Sequence, residues 1–583
     1  MIKIAKLSSL FSISVILLFL LCSNLYSFKH SYWARELPPF IFSFLVSSLA
    51  LAGIASIVKR LHITFIDIIA VFFFFYIIFN SLFIAQPFPP SDRIFNILGC
   101  FLLYISLRIV NPFTKENTQL LLIGFLFVIV YQAVYGILQF WQTTSLVRGT
   151  FINPGIYGCF IGLGLPIITH FITKPKITRA RIILLISIGV LVLNSLYFSK
   201  SRTALVSSLL GSIIIIFYRL KIDPVYIITK HKKIITALII GILAVIINSL
   251  WQQNTVSVSG RFLIWKISYY MFLDHPFFGI GYGNFFTEYG NYQANYFLSG
   301  QGTPNEVKIA GMNYYAFNEF LKITVENGII GILVFVGLIV AIIFSVWRGI
   351  KNNQAYAIVF AVLFGVILIF GLFSYPFQDF AISALFYCCL SYIASIDMIL
   401  LKYTPTRISR SILLLVICGF AFVSIQKIYS IFQWRDATEN LSELNPSFKK
   451  YQQIFPVLSN NGAFLFNYAA ELAYAGKNRQ AIPLFIRAAR YGNSVELYIW
   501  LADCYAAIGH NALAEQNYTK AAYMHPKLFK PLDHLLSFYQ KTGQVVKAKR
   551  IAEQICTKPI KIPSNEIDKI KAKALMYLQT DKL

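Results

Sequence analysis

The sequence predicts an all-α protein in two parts, a polytopic helical membrane domain of about thirteen transmembrane helices followed by an α-solenoid. Three observations predict it. Of 583 residues, 57% are hydrophobic and only 13% charged, against roughly 45–50% and 25% in soluble domains. Apolar runs long enough to cross about 30 Å of hydrocarbon, roughly 20 residues each, recur along the first three quarters of the chain. Beyond them, continuous apolarity gives way to helical amphipathicity with an internal period.

The runs lie near 8–28, 39–58, 64–85, 94–110, 118–140, 152–173, 182–198, 203–218, 234–251, 328–347, 355–374, 379–398 and 410–427. The first opens with Lys3 and Lys6 and has the look of a signal peptide. Its FLLC at Phe19–Cys22 lacks the small residue before cysteine that lipoprotein processing requires, so an uncleaved first helix is expected. A net charge of +27 would suggest nucleic acid in a soluble protein. In a membrane protein its meaning depends on location, and no nucleic-acid partner is expected here. With thirteen spans the loops fall into two sets, leaving out the long segment 252–327. Twenty Lys and Arg fall in one set, among them Lys59, Arg108, Lys174, Arg219 and Arg348; six fall in the other, namely Lys29, Arg35, Arg93, Arg148, Lys200 and Arg202. The positive-inside rule places the rich set, and the amino terminus, in the cytoplasm. The long loop and everything after residue 427 are then exported, into the periplasm if the cell has two membranes, which makes the chain a multi-pass protein of the inner (cytoplasmic) membrane.

Six of the eight cysteines sit in apolar spans, where small buried thiols are ordinary. Cys504 and Cys556 lie in the exported tail, where either a disulfide or two buried thiols is consistent with the compartment. No Cys-x-x-Cys or Cys/His cluster with metal spacing occurs, so neither a metal nor a cofactor is expected.

In the tail, Gly476, Gly509 and Gly543 are 33 and 34 residues apart, as are Ala481, Ala514 and Ala548. Phe485, Tyr518 and Ala552 follow those alanines by four residues, and Ala488, Ala521 and Ile555 by seven. A period near 34, with glycine in the turn and alanine where two helices pack closely, resembles tetratricopeptide repeats, over 464–494, 495–527 and 528–559. Pro526 and Pro559 fall near repeat ends. The expected domains are therefore 1–427 in the membrane with the outer loop 252–327, a helical linker 428–463 containing Trp434, and a periplasmic repeat domain 464–583. Stacked helix pairs present a concave surface suited to polypeptide partners, so the tail is either a binding module or a structural cap on the membrane domain.

Exported chemistry draws on the outer mouths of the spans and on the long loop. Four stretches qualify: RGTFINPGIYG at 148–158, SKSRTAL at 199–205, GRFLIWKISYYMFLDHPFFGIGYGNF at 260–285, and YYAFNEFLKITVENGIIG from 314, which places Asn318, Lys322 and Glu326 four residues apart before an unbroken apolar run. Taken in order, they resemble the O-antigen ligase and polymerase superfamily. Its members carry a G-T-F-x-N-P-like turn, an S-R-T or S-R-G helix start, and G-R-x-x-x-W followed by H-P-x-x-G-x-G. An N-x-x-L-x-x-x-x-E-x-G-x-x-G run then leads back into the membrane. The resemblance covers roughly residues 60 to 400.

It implies a transferase that takes a preassembled glycan from a polyprenyl diphosphate carrier without metal or nucleotide. A diphosphate leaving group calls for fixed cations, and arginine pairs bidentately with phosphate oxygens. Arg202 and Arg261 are the candidates, each with a plainer reading: Lys200 and Arg202 as snorkelling residues at a helix end, Arg261 as a solvated loop charge. Arg148 is a third cation with the surface reading foremost. Asn153 before Pro154 is a sugar contact or a helix cap, and His275 before Pro276 an acid or base, or a hydrogen-bonded turn residue. Gly279, Gly281 and Gly283 form a turn rather than a dinucleotide loop, since no strand precedes them. Many ligases of this family have histidine immediately before the asparagine that is Asn318 here; this chain has Phe317. Either another group, Glu319, Glu326 or His275, has taken over as the base that activates the acceptor, a desolvated carboxylate at a membrane mouth being suited to that work, or this chain activates its acceptor differently. Alternatively, Asn318 caps the helix and Lys322 and Glu326 form an i,i+4 pair.

The expected function is thus a membrane glycosyltransferase of the O-antigen ligase kind, in lipopolysaccharide or surface-polysaccharide synthesis. The acceptor divides the options: lipid A core for a ligase, another carrier-linked glycan for a polymerase, an exported protein for an O-oligosaccharyltransferase. A transporter or a non-enzymatic assembly scaffold is the rival class. Transporters place polar residues near mid-membrane, whereas here they lie at outer helix ends.

Overall fold

The computed structural model describes residues 11, 13–17, 20, 33–55, 61–85, 91–143, 146–221, 255–439, 444–560 and 562–580. Most of the span expected at 8–28, all but residues 11, 13–17 and 20, and the whole of that at 234–251 lie outside the described residues. The membrane part contains α1 (Pro38–Ala55), β1 (Leu61–Thr64), α2 (Phe65–Phe79), α3 (Ile94–Val110), α4 (Lys115–Thr143), α5 (Pro154–Gly162), α6 (Gly164–Ile172), α7 (Arg179–Ser199) and α8 (Arg202–Arg219). The long loop adds α9 (Thr255–Asp274), α10 (Phe285–Leu298) and α11 (Pro304–Ile309). The chain re-enters the bundle with α12 (Glu319–Lys351), α13 (Ala357–Gly371), α14 (Phe380–Ser395), β2 (Ile399–Tyr403) and α15 (Arg407–Glu439). Among the described residues, seven helical segments are long and apolar enough to cross a membrane and four more are apolar but shorter. These correspond one for one to the remaining expected spans.

Local sequence explains where the helices begin and break. Thr64 and Asp67 form a capping box at the start of α2, each satisfying an amide the helix leaves open. The run expected as one span at 152–173 is two helices meeting at Leu163, because Pro166 offers no amide and crowds the carbonyl four residues earlier. α12 starts nine residues before the expected boundary of 328, with Asn318 accepting from the Leu321 amide at 3.0 Å, so the polar face 318–326 forms its first two turns. α15 runs on to Glu439, past the expected end at 427, and carries Trp434 into a buried contact.

Among the described residues the chain is nearly all-α, with one departure. β1 and β2 pair antiparallel, Leu61 opposite Tyr403 and Ile63 opposite Leu401. Strands of four and five residues between apolar helices leave no periodicity to read. Their pairing puts two loops of the lysine-rich set at the same end of the bundle. Arg108 binds Asp67 there at 2.7 Å and Arg348 binds Asp397 at 2.8 Å.

The tail comprises α16 (Leu444–Leu458), then α17 (Gly462–Tyr474) with α18 (Asn478–Tyr491), α19 (Val495–Ala507) with α20 (Asn511–Met524), α21 (Lys530–Lys541) with α22 (Val545–Thr557), and finally α23 (Asn565–Thr580). Each pair is a helical hairpin packed on the next. Gly476, Gly509 and Gly543 take φ of 75°, 82° and 70° in the hairpin turns, a left-handed conformation that suits glycine. Ala481, Ala514 and Ala548 are fully buried, which lets the paired helices approach closely. Cys504 and Cys556 are free thiols.

The hairpins rest on the long loop. Asn493 Nδ2 donates to the Thr287 carbonyl and to Asn291 Oδ1, both at 2.9 Å, and Gln293 Nε2 donates to the Met524 carbonyl at 2.6 Å. Lys427 Nζ meets Asp92 at 2.8 Å, while Asn461 Nδ2 donates to Glu36 at 2.8 Å and to Asp92 at 3.3 Å. Tail, last membrane helix and two mouth loops therefore share one buried polar joint.

Candidate functional site

The turn 148–158 and the start of α8 lie side by side. Asn153 Oδ1 accepts from the Gly155 amide at 2.7 Å and so caps α5. Ser201 Oγ donates to the Gly155 carbonyl at 3.4 Å, and a side chain at Gly158 would collide with Ser201; the glycine is what lets the two segments touch. Arg202, the first residue of α8, is thus held beside the Asn153 turn. Lys200 just before it is exposed and takes a left-handed φ of 54° as the cap of α7. Arg148 is half-buried, its amide bound to Gln139 Oε1 at 3.1 Å and its carbonyl to the Phe151 amide.

The third and fourth stretches meet around Phe317. Trp265 Nε1 donates to the Ala316 carbonyl at 3.0 Å, tying α9 to the entry of α12. The Arg261 guanidinium lies 5.4 Å from the Phe317 ring centre, within cation–π range. Phe317 packs edge-on against Tyr375, and Tyr315 stacks on Tyr375 at 3.9 Å. The Tyr375 and Asn153 side chains lie near one another, which brings the first stretch alongside the other two. Burial draws the Arg261 pKa below the ordinary guanidinium value, with Tyr375 opposing, and burial raises that of Tyr375. No carboxylate pairs with Arg261 among the described residues.

The glycine-rich loop explains the break in α12. Gly328 has φ 66°, so the helix interrupts there and the carbonyls of Val325 and Glu326 lose their usual donors four residues on. The loop supplies replacements: Ile280 and Gly281 donate to those two carbonyls at 3.0 Å each, and Ile329 in turn donates to the Pro276 carbonyl at 2.8 Å. Added side chains at Gly279 or Gly328 would overlap backbone across this crossing. Asn80 clamps the loop, accepting from the Tyr282 amide at 2.6 Å and donating to the Phe278 carbonyl at 2.7 Å, while Tyr76 OH donates to the Asn327 carbonyl at 2.5 Å. The Arg93 guanidinium donates to the Gly283 carbonyl and lies 5.7 Å from the Phe286 ring centre.

Beneath this crossing is a cavity lined by Tyr282, Glu319, Lys322, Glu326, Gln378 and Ser383 among others. Glu319, 3% exposed, accepts from the Phe377 amide at 3.2 Å. Glu326, 2% exposed, accepts from the Phe285 amide at 3.2 Å and faces Lys322 at 3.8 Å. The helix cap and the i,i+4 pair foreseen for this face are therefore both present. Glu319 has no ion-pair partner among the described residues. His275 stands apart: exposed at the end of α9, its amide bonds the Phe272 carbonyl and its carbonyl accepts from Gly279, the pattern of a turn residue. The neighbouring Asp274 accepts from Tyr292 OH at 2.8 Å. No group of three or more His, Cys, Asp or Glu side chains placed to hold a metal occurs among the described residues.

Tyr375, Asn80, Tyr76 and Arg93 escaped the sequence reading. Asn80 carried a usable signal, an amide ending the run FFFFYIIFN, since polar groups in apolar spans tend to be functional or paired. Tyr375 had only its place in an outer loop.

A family model described as an O-antigen ligase matches residues 187–336, from the second half of α7 to the middle of α12. That window holds Arg202, Arg261, the glycine loop and the break in α12, and it supports a membrane glycan-transfer function of the O-antigen ligase and polymerase kind. No curated protein matches the chain at a significant level.

Proposed function

We propose that this protein is a membrane glycosyltransferase that moves a preassembled glycan from a polyprenyl diphosphate carrier to an acceptor at the exported mouth of the bundle, as an O-antigen ligase does. The observation that carries the reading is the convergence on Tyr375: it lies near Asn153, stacks on Tyr315 and packs against Phe317, over which Arg261 is poised. Aromatic faces and an unpaired arginine suit a sugar diphosphate, the rings lying against the sugar and the guanidinium against phosphate oxygens. In the transfer, an acceptor hydroxyl attacks the anomeric carbon and gives its proton to a base. The bond from that carbon to the phosphate oxygen breaks, and the carrier diphosphate leaves with the electron pair. Arg261, with Arg202 beside the Asn153 turn, stabilises the charge that develops on the diphosphate, an effect on the order of several kcal/mol where water is excluded. Glu319 is the base this site favours, a buried carboxylate two residues from Phe317 with one amide donor and an open cavity before it. Lys200, Arg148, Asn318 and Glu326 frame the donor pocket, and His275 lies outside the central group.

A second reading concerns the acceptor. The hairpin stack, which we read as a tetratricopeptide module in the periplasm, is built onto the outer loop through Asn493 and Gln293. Such modules engage polypeptide, which favours an exported protein as acceptor or partner over lipid A core or a growing polysaccharide. A deletion strain complemented with wild type, Arg261→Ala or Arg202→Ala tests both. Loss of glycan from lipid, from chain length or from proteins identifies the acceptor, and full activity of both variants would refute the assignment of the cations.

A further inference from the structure

The opposite end of the bundle holds a second group of cations without counter-charges. Lys174 follows α6, Arg219 closes α8, and Lys115 opens α4. Among the described residues none of the three has a carboxylate within ion-pair distance, whereas Arg108 and Arg348 at the same end each have one. Burial, then the nearby charges of Arg219 and Lys115, lower the Lys174 pKa, so the three are close enough to repel one another. His170 sharpens the picture. Arg219 Nη2 lies 3.1 Å from its Nδ1; a guanidinium only donates, so Nδ1 accepts and the ring proton sits on Nε2. Among the described residues that nitrogen is buried with no partner, and so is Arg219 Nε. Leaving two buried donors without acceptors is unfavourable, so they call for an acceptor of their own. His170, itself fully buried, and Lys174 both lie against the Tyr356 ring, at 5.5 Å and 5.4 Å. Tyr356 OH and Lys174 Nζ share Gln119 Oε1 at 3.4 Å and 3.5 Å.

Helix ends do not neutralise the group. The negative ends of α6 and α8 are offset by the positive ends of α4 and α13, each about half a charge. Three cations and two idle donors remain, facing a layer where lipid headgroups lie.

We propose that His170, Lys174 and Arg219, with Lys115, form a binding site for an anionic phosphate group, filled by the phosphodiester of an acidic membrane lipid in the leaflet at the lysine-rich end of the bundle. Basic pockets between spanning helices on that side suit acidic headgroups. The phosphate oxygens accept from Arg219 Nε and His170 Nε2 while Lys174 and Lys115 supply charge. The site lies at the other end of the bundle from Arg261 and does not depend on the glycosyl transfer proposed above.

Native mass spectrometry of the full chain in neutral detergent, titrated with phosphatidylglycerol, phosphatidylcholine or inorganic phosphate, tests it. Wild type is expected to retain phosphatidylglycerol over phosphatidylcholine, and Lys174→Gln/Arg219→Gln to weaken that retention about tenfold, as loss of charge-assisted hydrogen bonds would. Arg219→Lys keeps the charge and is expected to lose only part. Arg179→Gln, an exposed cation beside the same loop, serves as control and is expected to bind as wild type. Should the double variant not fold, Lys174→Gln alone, outside any helix, carries the test with a smaller loss. Displacement of the lipid by inorganic phosphate would keep the phosphate site and assign its ligand to the solution. Equal retention by a folded Gln variant, or an equal loss in Arg179→Gln, would overturn the site in favour of a diffuse basic surface.

Discussion

At the end where β1 meets β2, Arg108 sits in a closed network: it reaches both oxygens of Asp67, which also accepts from Tyr104 OH at 2.6 Å and from the Thr64 amide at 2.8 Å. Asp397 joins Arg348 to the first turn of α2 in the same way. At the opposite end, beside the long loop, Arg261 faces aromatic rings and Glu319 accepts from one backbone amide, and neither has an ion-pair partner among the described residues. The pairs hold the bundle together. Burying such groups without an ion pair has a cost, which the cation–π contact of Arg261 with Phe317 offsets only in part; on the function proposed above, their use lies with something that arrives. The contrast separates structural charge from functional charge better than position in the sequence does.

The largest effect expected is at the closed network. Arg108→Gln leaves Asp67 buried and uncompensated, at a cost of about 3–5 kcal/mol; the melting temperature in detergent should fall sharply, with glycan transfer falling only as folded protein is lost. Arg261→Ala should do the reverse, reducing transfer about 10²–10³-fold with little change in melting. Arg261→Lys should restore only part of the activity, because an ammonium lacks the planar fork. If Arg261→Ala melted as badly as Arg108→Gln, the two ends would not differ in kind.

Gly328→Ala forces a side chain into the loop backbone at a left-handed φ, a strain of about 1–3 kcal/mol. It should impair transfer and stability together, since it unseats the loop over the cavity. Gly337→Ala, in the same helix with open space around it, should be neutral or stabilising by up to about 1 kcal/mol.

The tail offers a pH test. Burial, aided by Lys527 and Lys558, depresses His525 to about 3, and its Nε2 is buried without a partner. The unfolded tail, with an ordinary histidine near 6.5, binds the proton first, so stability is present above that value and is lost as pH falls towards the folded one. The loss is about 1 kcal/mol after allowance for solvent screening. Hydrogen-exchange protection of α20 and α21, taken relative to the intrinsic rate at each pH, should fall on acidification in wild type and less so in His525→Gln.

Smallest is Lys200→Gly. If Lys200 only caps α7, glycine relieves its left-handed φ and stabilises by up to about 1 kcal/mol with transfer unchanged. A fall in transfer would mark it as part of the donor pocket.

Much of the fold was legible because hydrocarbon imposes length and polarity on every crossing: the helices at 179–199, 202–219 and 407–439 lie where apolar runs predicted them. The tail was legible because alanine and glycine recur at the spacing of its hairpins. The site was legible in part. The ordered motifs pointed to Arg202, Arg261 and the glycine loop, while Tyr375, Arg93 and the Asn80 clamp lie far from them in sequence.

By itself, then, the sequence determined a helical membrane bundle with a repeat tail and two sets of loops unequal in charge, since hydropathy, period and charge are properties of the chain written in order. Only the tertiary structure decided which charges are answered. That Arg108 has a carboxylate and Arg261 a phenyl ring, and that the loop amides of Ile280 and Gly281 complete a helix broken at Gly328, follow from packing between segments tens to hundreds of residues apart, where spacing along the chain carries no information.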